Sequence, residues 1–215
     1  MLCGVLPPCK LRLSLSQSEC QIKGSGRMQS LLENPVIRNA VLRLEVEQYH
    51  RLCSSGIIPE STELLEGVVV EKTGKSPQHT WTVAFLGEWF RRHLQTGLTL
   101  RVEQPLTLGN SEPEPDLAVV EGNRDDFRLC HPASALLVVE VAITTADMNR
   151  AKAAIYAAAG ISQFLLVQPG QKQVVVFENG IDQNYSAKRS VSIGESLLLP
   201  DVCDAALQLS ELFPE

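Results

Sequence analysis

Two carboxylates stand where a strand would have to bury them. Glu140 lies inside the run Leu136-Leu137-Val138-Val139-Glu140-Val141, and Asp116 ends Glu114-Pro115-Asp116 directly before a second apolar run. An ionised carboxylate in a covered strand is costly unless it is paired or bound to a cation. Carboxylates on neighbouring strands can share a hard divalent ion such as Mg²⁺, which prefers oxygen ligands. Such an ion activates water and neutralises charge developing on a phosphodiester. The plainer reading is that Glu140 pairs with a lysine or arginine and Asp116 caps a turn. Lys152 is the third candidate. It stands among Ala151, Ala153, Ala154, Ala157, Ala158 and Ala159, small residues that let a helix approach a sheet closely. It shares a helical face with Met148 and Tyr156 at i±4 spacing, from which its ammonium could reach back to the carboxylates. The alternative is a lysine that snorkels to solvent.

These residues need elements to hold them. Val46, Tyr49, His50 and Cys53 have helical spacing, stopped by Gly56. Residues 64–70 predict a strand pair or a bent strand, with Gly67 at the kink. Ser76-Pro77 is a helix start, a capping serine followed by proline at the first helical position. Trp81, Phe85, Leu86, Trp89 and Leu94 then make an apolar stripe, with both tryptophans expected in the core. Strands are expected over 98–102, 117–120, 136–141, 164–167 and 174–177, the last two joined by Pro169-Gly170. The 136–141 strand is apolar on both faces, which predicts a central, covered position. A helix over 148–159 follows it, capped by Thr144 or Thr145 and closed by Gly160. The order predicts an α/β fold, a mixed sheet flanked by helices.

The bulk numbers exclude several classes. The chain has 215 residues, enough for one domain with a full core. Its mean hydropathy of +0.01 suits an ordinary soluble protein, and its scattered cysteines suit a cytoplasmic one. No apolar run approaches the roughly 18 residues that a membrane-spanning helix needs. Six scattered cysteines with no C-x-x-C pair argue for reduced thiols and against a zinc site. A net charge of -6 argues against broad coating of nucleic acid, though not against a local groove. In residues 1–27, Lys10, Arg12, Lys23 and Arg27 face Glu19 alone, and Met28 follows. That segment is expected to be a disordered arm or a misassigned start, with a single domain over 28–215. Walker, nucleophile-elbow and Rossmann fingerprints are absent.

The motifs together resemble the Uma-type restriction endonuclease family of the PD-(D/E)XK nuclease superfamily. Glu112 to Val120, reading EPEPDLAVV, resembles its "PDl-v" segment, and Leu137 to Ala142 resembles its "lvvEV" strand. KAAIYAAAGI, from Lys152, is similar to its "K--lYa-aGv" helix. Glu63-Leu64-Leu65-Glu66-Gly67 resembles "ELieG", Ser76-Pro77-Gln78-His79 resembles "sP--H", and Gln104-Pro105 matches the piece before the acidic segment. The resemblance implies a restriction-endonuclease-like fold and Mg²⁺-dependent hydrolysis of DNA, with Mn²⁺ as the substitute ion. It implies that Asp116 and Glu140 bind the metal, with Glu63 as a third ligand and Glu66 the less favoured neighbour. Lys152 would orient the attacking water and stabilise charge on the phosphate. Ala142 fills the position two after the glutamate where the superfamily usually has that lysine. Asn149-Arg150 replaces the family's "DR" pair, and Asp147 is out of register. The rival is a catalytically inactive nuclease-fold module that binds nucleic acid or a protein partner; an α/β domain with an unrelated small-molecule site stands third. A homodimer would suit cutting two strands. His79 could contact the site or substrate, but a structural polar histidine is the preferred expectation. Arg91, Arg92 and His93 could touch a phosphate backbone, and a solvated helix face explains them as well.

Overall fold

The computed structural model describes residues 35–72, 74–143 and 146–214. The expected arm over 1–27 and the expected caps Thr144 and Thr145 lie outside the described residues. Two units divide the chain, 1–41 and 42–215. Of the first, the described part contains α1 (Pro35–Asn39).

The second unit begins with α2 (Val46–Ser54), then β1 (Thr62–Leu65) and β2 (Val68–Glu71). The long helix α3 (Pro77–His93) leads into β3 (Leu98–Val102), β4 (Leu117–Glu121) and β5 (Leu137–Val141). After α4 (Ala146–Ala158) come β6 (Gln163–Gln168), β7 (Gln173–Ile181) and β8 (Asn184–Ser192). The chain closes with β9 (Ser196–Leu197), β10 (Leu207–Gln208) and α5 (Leu209–Leu212). Strands β3 to β8 form one six-stranded sheet in sequence order. Its β5–β6 pair is parallel and its other pairs antiparallel. A parallel pair needs a crossover, and α4 supplies it. The mixed sheet flanked by helices is the expected α/β class.

Side chains alternate across the sheet, so it has two cores. Leu117, Val119, Leu137, Val139 and Val141 face the core that takes Val83, Leu86, Trp89 and Phe90 of α3. Ala118, Val120, Val138, Phe164 and Leu166 face the core that takes Tyr156 of α4. All five residues of β5 are buried, which explains why its sequence is apolar on both faces.

The strand pair is one of the two forms expected for residues 64–70, whereas β8 and the setting of Trp81 differ from expectation. Residues 64–70 resolve into a strand pair, β1 antiparallel to β2, turning at Glu66 and Gly67 with φ of 48° and 78°. Both central residues being left-handed fits the two-residue turn that follows strand twist. Strand β8 has no counterpart among the predicted strands because it is an edge strand, largely exposed and polar. Trp81 is a correction: it is 46% exposed, whereas Trp89 is buried as expected. Helix α3 buries Thr82, Val83, Leu86, Gly87, Trp89 and Phe90, which turns Trp81 to the flank, stacked on Phe85 at 5.5 Å. No helix among the described residues is long and apolar enough to cross a membrane.

Helix α4 lies close against the sheet. A Cβ placed on Gly180 of β7 would stand 2.5 Å from the Ile161 carbonyl oxygen and 3.1 Å from the Ala157 Cα. Valine is a better strand residue than glycine by propensity, yet here it would push the helix away. Gly180→Val should therefore lower stability by about 1–3 kcal/mol, read as a lower urea midpoint. An unchanged or raised midpoint would show that the approach does not depend on the glycine.

Candidate functional site

Strand β1 is buried at all four positions and is tied to the 103–116 loop by paired backbone bonds between Leu64 and Glu112. This brings Glu63 beside that loop, where its Oε2 accepts the Glu114 N–H at 3.2 Å. Asp116 is the residue before β4. The register sets Leu117 opposite Val139, so Asp116 comes up beside Glu140 at the end of the ladder. Asp116 Oδ2 accepts the Val141 N–H at 2.6 Å, while Oδ1 lies 3.0 Å from His79 Nε2 in the first turn of α3. Glu140 shares its sheet face with Val138, the face that α4 covers. Lys152 and Tyr156, one turn apart on α4, both reach it.

Lys152 Nζ lies 2.9 Å from Glu63 Oε2 and 3.2 Å from Glu140 Oε1. Tyr156 donates its hydroxyl to the same Glu140 Oε1 at 2.6 Å. Glu63, Asp116, Glu140 and Lys152 are each at least nine-tenths buried, and all four line one cavity of about 190 Å³. That volume has room for several waters, each taking about 30 Å³. Asn149 is also buried and lines the cavity. Ala142 is buried in the core under α4, so the nearest cation to Glu140 comes from the helix instead.

Burial pushes the Glu140 carboxyl up to about 7, with Asp116 and Glu63 adding to the rise; Lys152 and the Tyr156 hydrogen bond pull it down. For Lys152 burial works against the charge, but Glu140 and Glu63 outweigh it and hold the ammonium above its usual value. Tyr156 is raised by burial and by its carboxylate neighbours, so it stays a donor. The hydrogen bond to Asp116 raises His79 against the opposing effect of burial.

Two residues of the cavity gain importance beyond the sequence expectations. His79, expected to be a structural polar residue or else a site contact, lies against Asp116. Glu103 had no signal: it follows β3 and meets Asp116 because Val102 pairs with Leu117, and its own N–H bonds the Asp116 carbonyl at 3.0 Å. Only the strand register brings those two together. Among the described residues, His79, Glu103 and Asp116 are the group whose ligand atoms all lie within 4.8 Å of one another. Arg91 and Arg92 are exposed on α3 and do not line the cavity. His93 instead lies 3.6 Å from Asp204.

Residues 46–210 match the Uma2 family, described as "Putative restriction endonuclease". The chain belongs to this family. Its fold is similar to a crystal structure of "a putative nuclease belonging to DUF820" from Anabaena variabilis, with a TM-score of 0.62 at 14% identity. That match covers 79% of this chain and 97% of the other. No curated protein matches the chain. The description of the Uma2 family points to a nuclease, and the structural likeness shows the fold.

In the metal-free chain, Glu140 titrates above its unfolded value of 4.5. The folded state therefore holds the extra proton, and this group's contribution to stability is present in acid and falls as pH rises from about 4.5 to about 7. Lys152→Met removes the ammonium from two buried carboxylates and should cost about 3–5 kcal/mol at pH 8. At pH 5 the loss should be smaller, because Glu140 can take a proton instead. Urea unfolding at both pH values checks this, and an equal loss at the two would contradict it.

Proposed function

We propose that this chain is a metal-dependent endonuclease that hydrolyses DNA phosphodiester bonds at the cavity between β1, β5 and α4. The observation that carries this is the placing of the Lys152 ammonium between Glu63 and Glu140, beside Asp116, in a chain of a nuclease family. Carboxylate oxygens suit a hard divalent ion. Asp116 and Glu140 would hold Mg²⁺ or Mn²⁺, with Glu63 as the further ligand. The ion would supply positive charge to the phosphodiester and make a bound water acidic.

The chain's own groups do the rest. An ammonium has three donors, and Glu63 and Glu140 take two, so Lys152 keeps one for a water or a phosphate oxygen. Held by a side chain buried to 5% exposure, that donor is less screened than one in bulk water. Tyr156 engages Glu140 Oε1 and leaves Oε2 for other partners. The Val141 N–H fixes the Asp116 carboxylate, so both acidic groups are oriented before substrate arrives.

Plasmid cleavage with Mg²⁺ or Mn²⁺ tests this. Asp116→Ala and Lys152→Ala should each lower the rate by about 10²-fold or more, and a chelator should abolish cleavage. Equal residual cleavage by wild type and both variants would identify a contaminant and overturn the proposal. Tight DNA binding without cleavage would instead favour the inactive nuclease-fold module.

A further inference from the structure

Asp116 has two oxygens with different obligations. Oδ2 is engaged by the Val141 N–H, which belongs to β5 next to Glu140. Oδ1 faces His79 Nε2 at 3.0 Å. Two donor atoms bound to one ion at about 2.1 Å and at right angles stand about 3.0 Å apart, so this pair has the spacing of neighbouring ligands. Glu103 joins them, with one ligand atom from each residue within 4.8 Å of the others. Its Oε1 takes Lys75 at 2.9 Å, which leaves Oε2. The other nitrogen of His79, Nδ1, is buried without a hydrogen-bond partner, so the ring's polar contact with the cavity runs through Nε2. On the opposite side of the carboxylate group, Glu63 and Glu140 already share the Lys152 ammonium. Besides Glu140 Oε2, the donors left for a cation are therefore those around Asp116 Oδ1.

We infer that the ion held by Asp116 is also held by His79 and Glu103, through a mixed nitrogen and oxygen ligand set. This rests on the reading of the cavity as a metal site. An imidazole nitrogen suits first-row transition ions, whereas Mg²⁺ takes oxygen ligands. The site therefore selects Mn²⁺ over Mg²⁺. Serving it from the first turn of α3, the end of β3 and the start of β4 couples the ion to elements outside the β5–α4 pair.

Mn²⁺ binding to the full chain, with no nucleic acid present, is read from the free-ion EPR signal, and pulsed EPR of the bound ion reads nitrogen coupling. The wild type should show ¹⁴N coupling of imidazole character, which among the chain's histidines His79 supplies, since His50, His93 and His131 do not line the cavity. His79→Gln should abolish the coupling and weaken Mn²⁺ binding by about tenfold or more, with Glu103→Gln weakening it as well. The wild-type coupling does not depend on either variant folding. Bound Mn²⁺ without nitrogen coupling overturns the inference and leaves the nuclease proposal standing on the carboxylates. Wild-type affinity in His79→Gln, beside loss in Asp116→Asn, does the same. Nitrogen-coupled Mn²⁺ in a chain that fails to cut plasmid supports the inference and overturns the nuclease proposal. Absence of Mn²⁺ binding in the wild type overturns both the ligand set and the metal dependence.

Discussion

A buried ammonium between two buried carboxylates constrains three separate parts of this chain at once. Lys152 comes from α4, Glu140 from β5 and Glu63 from the β1–β2 hairpin, and none of the three can be removed from water alone without a large penalty. Moving the helix outward by a small distance would leave one cation and two anions unpaired. The alanine-rich face of α4 and the glycine at 180 both serve that approach. So does Tyr156, whose hydroxyl gives Glu140 a second donor that does not depend on charge. The packing around α4 is therefore tight where the electrostatics require it.

The sheet explains why the remaining groups arrive on the correct side. With a period of two, Glu140 shares a face with Val138 and must meet α4, while Val139 and Val141 meet the core under α3. Asp116 stands at the end of β4, where α3 begins. It can therefore contact an α3 side chain as well as the β5 backbone. A slip of one residue in β4 would turn Asp116 to the other face and separate it from both partners. The many antiparallel bonds of β3, β4 and β5 hold that register, and the pairs Val102–Leu117 and Leu117–Val139 define it near the cavity.

Much of this was legible in the residues. Strand β5 announced itself by an apolar run with one carboxylate, α4 by its alanines and closing glycine, and α3 by Ser76-Pro77. The motif order resembled a nuclease family, and residues 46–210 match it. Less legible was anything that depends on which way an element faces. Trp81 lies in a helix that is apolar on more than one side, so periodicity alone could not tell core from flank. Strand β8 is polar along much of its length because one edge of the sheet faces solvent. Its cross-strand partners, such as Arg189 with Glu178 and Lys188 with Phe177, are set by the register and do not give an apolar alternation.

The acidic pair Asp116 and Glu140 shows where that boundary falls. Composition and spacing showed that Glu140 sits in a covered strand, where it needs a partner, and that a lysine one helix later could reach it. The resemblance to a family joined Asp116 and Glu63 to them. Burial cost is a property of residue type, so it can be read from a string of letters. Which partners each oxygen takes was decided only in three dimensions. Strand register placed Glu103 and His79 at Asp116, and helix docking placed Lys152 between Glu63 and Glu140. These contacts join residues tens of positions apart, and the distance between them is set by pairing and packing, which no local pattern encodes.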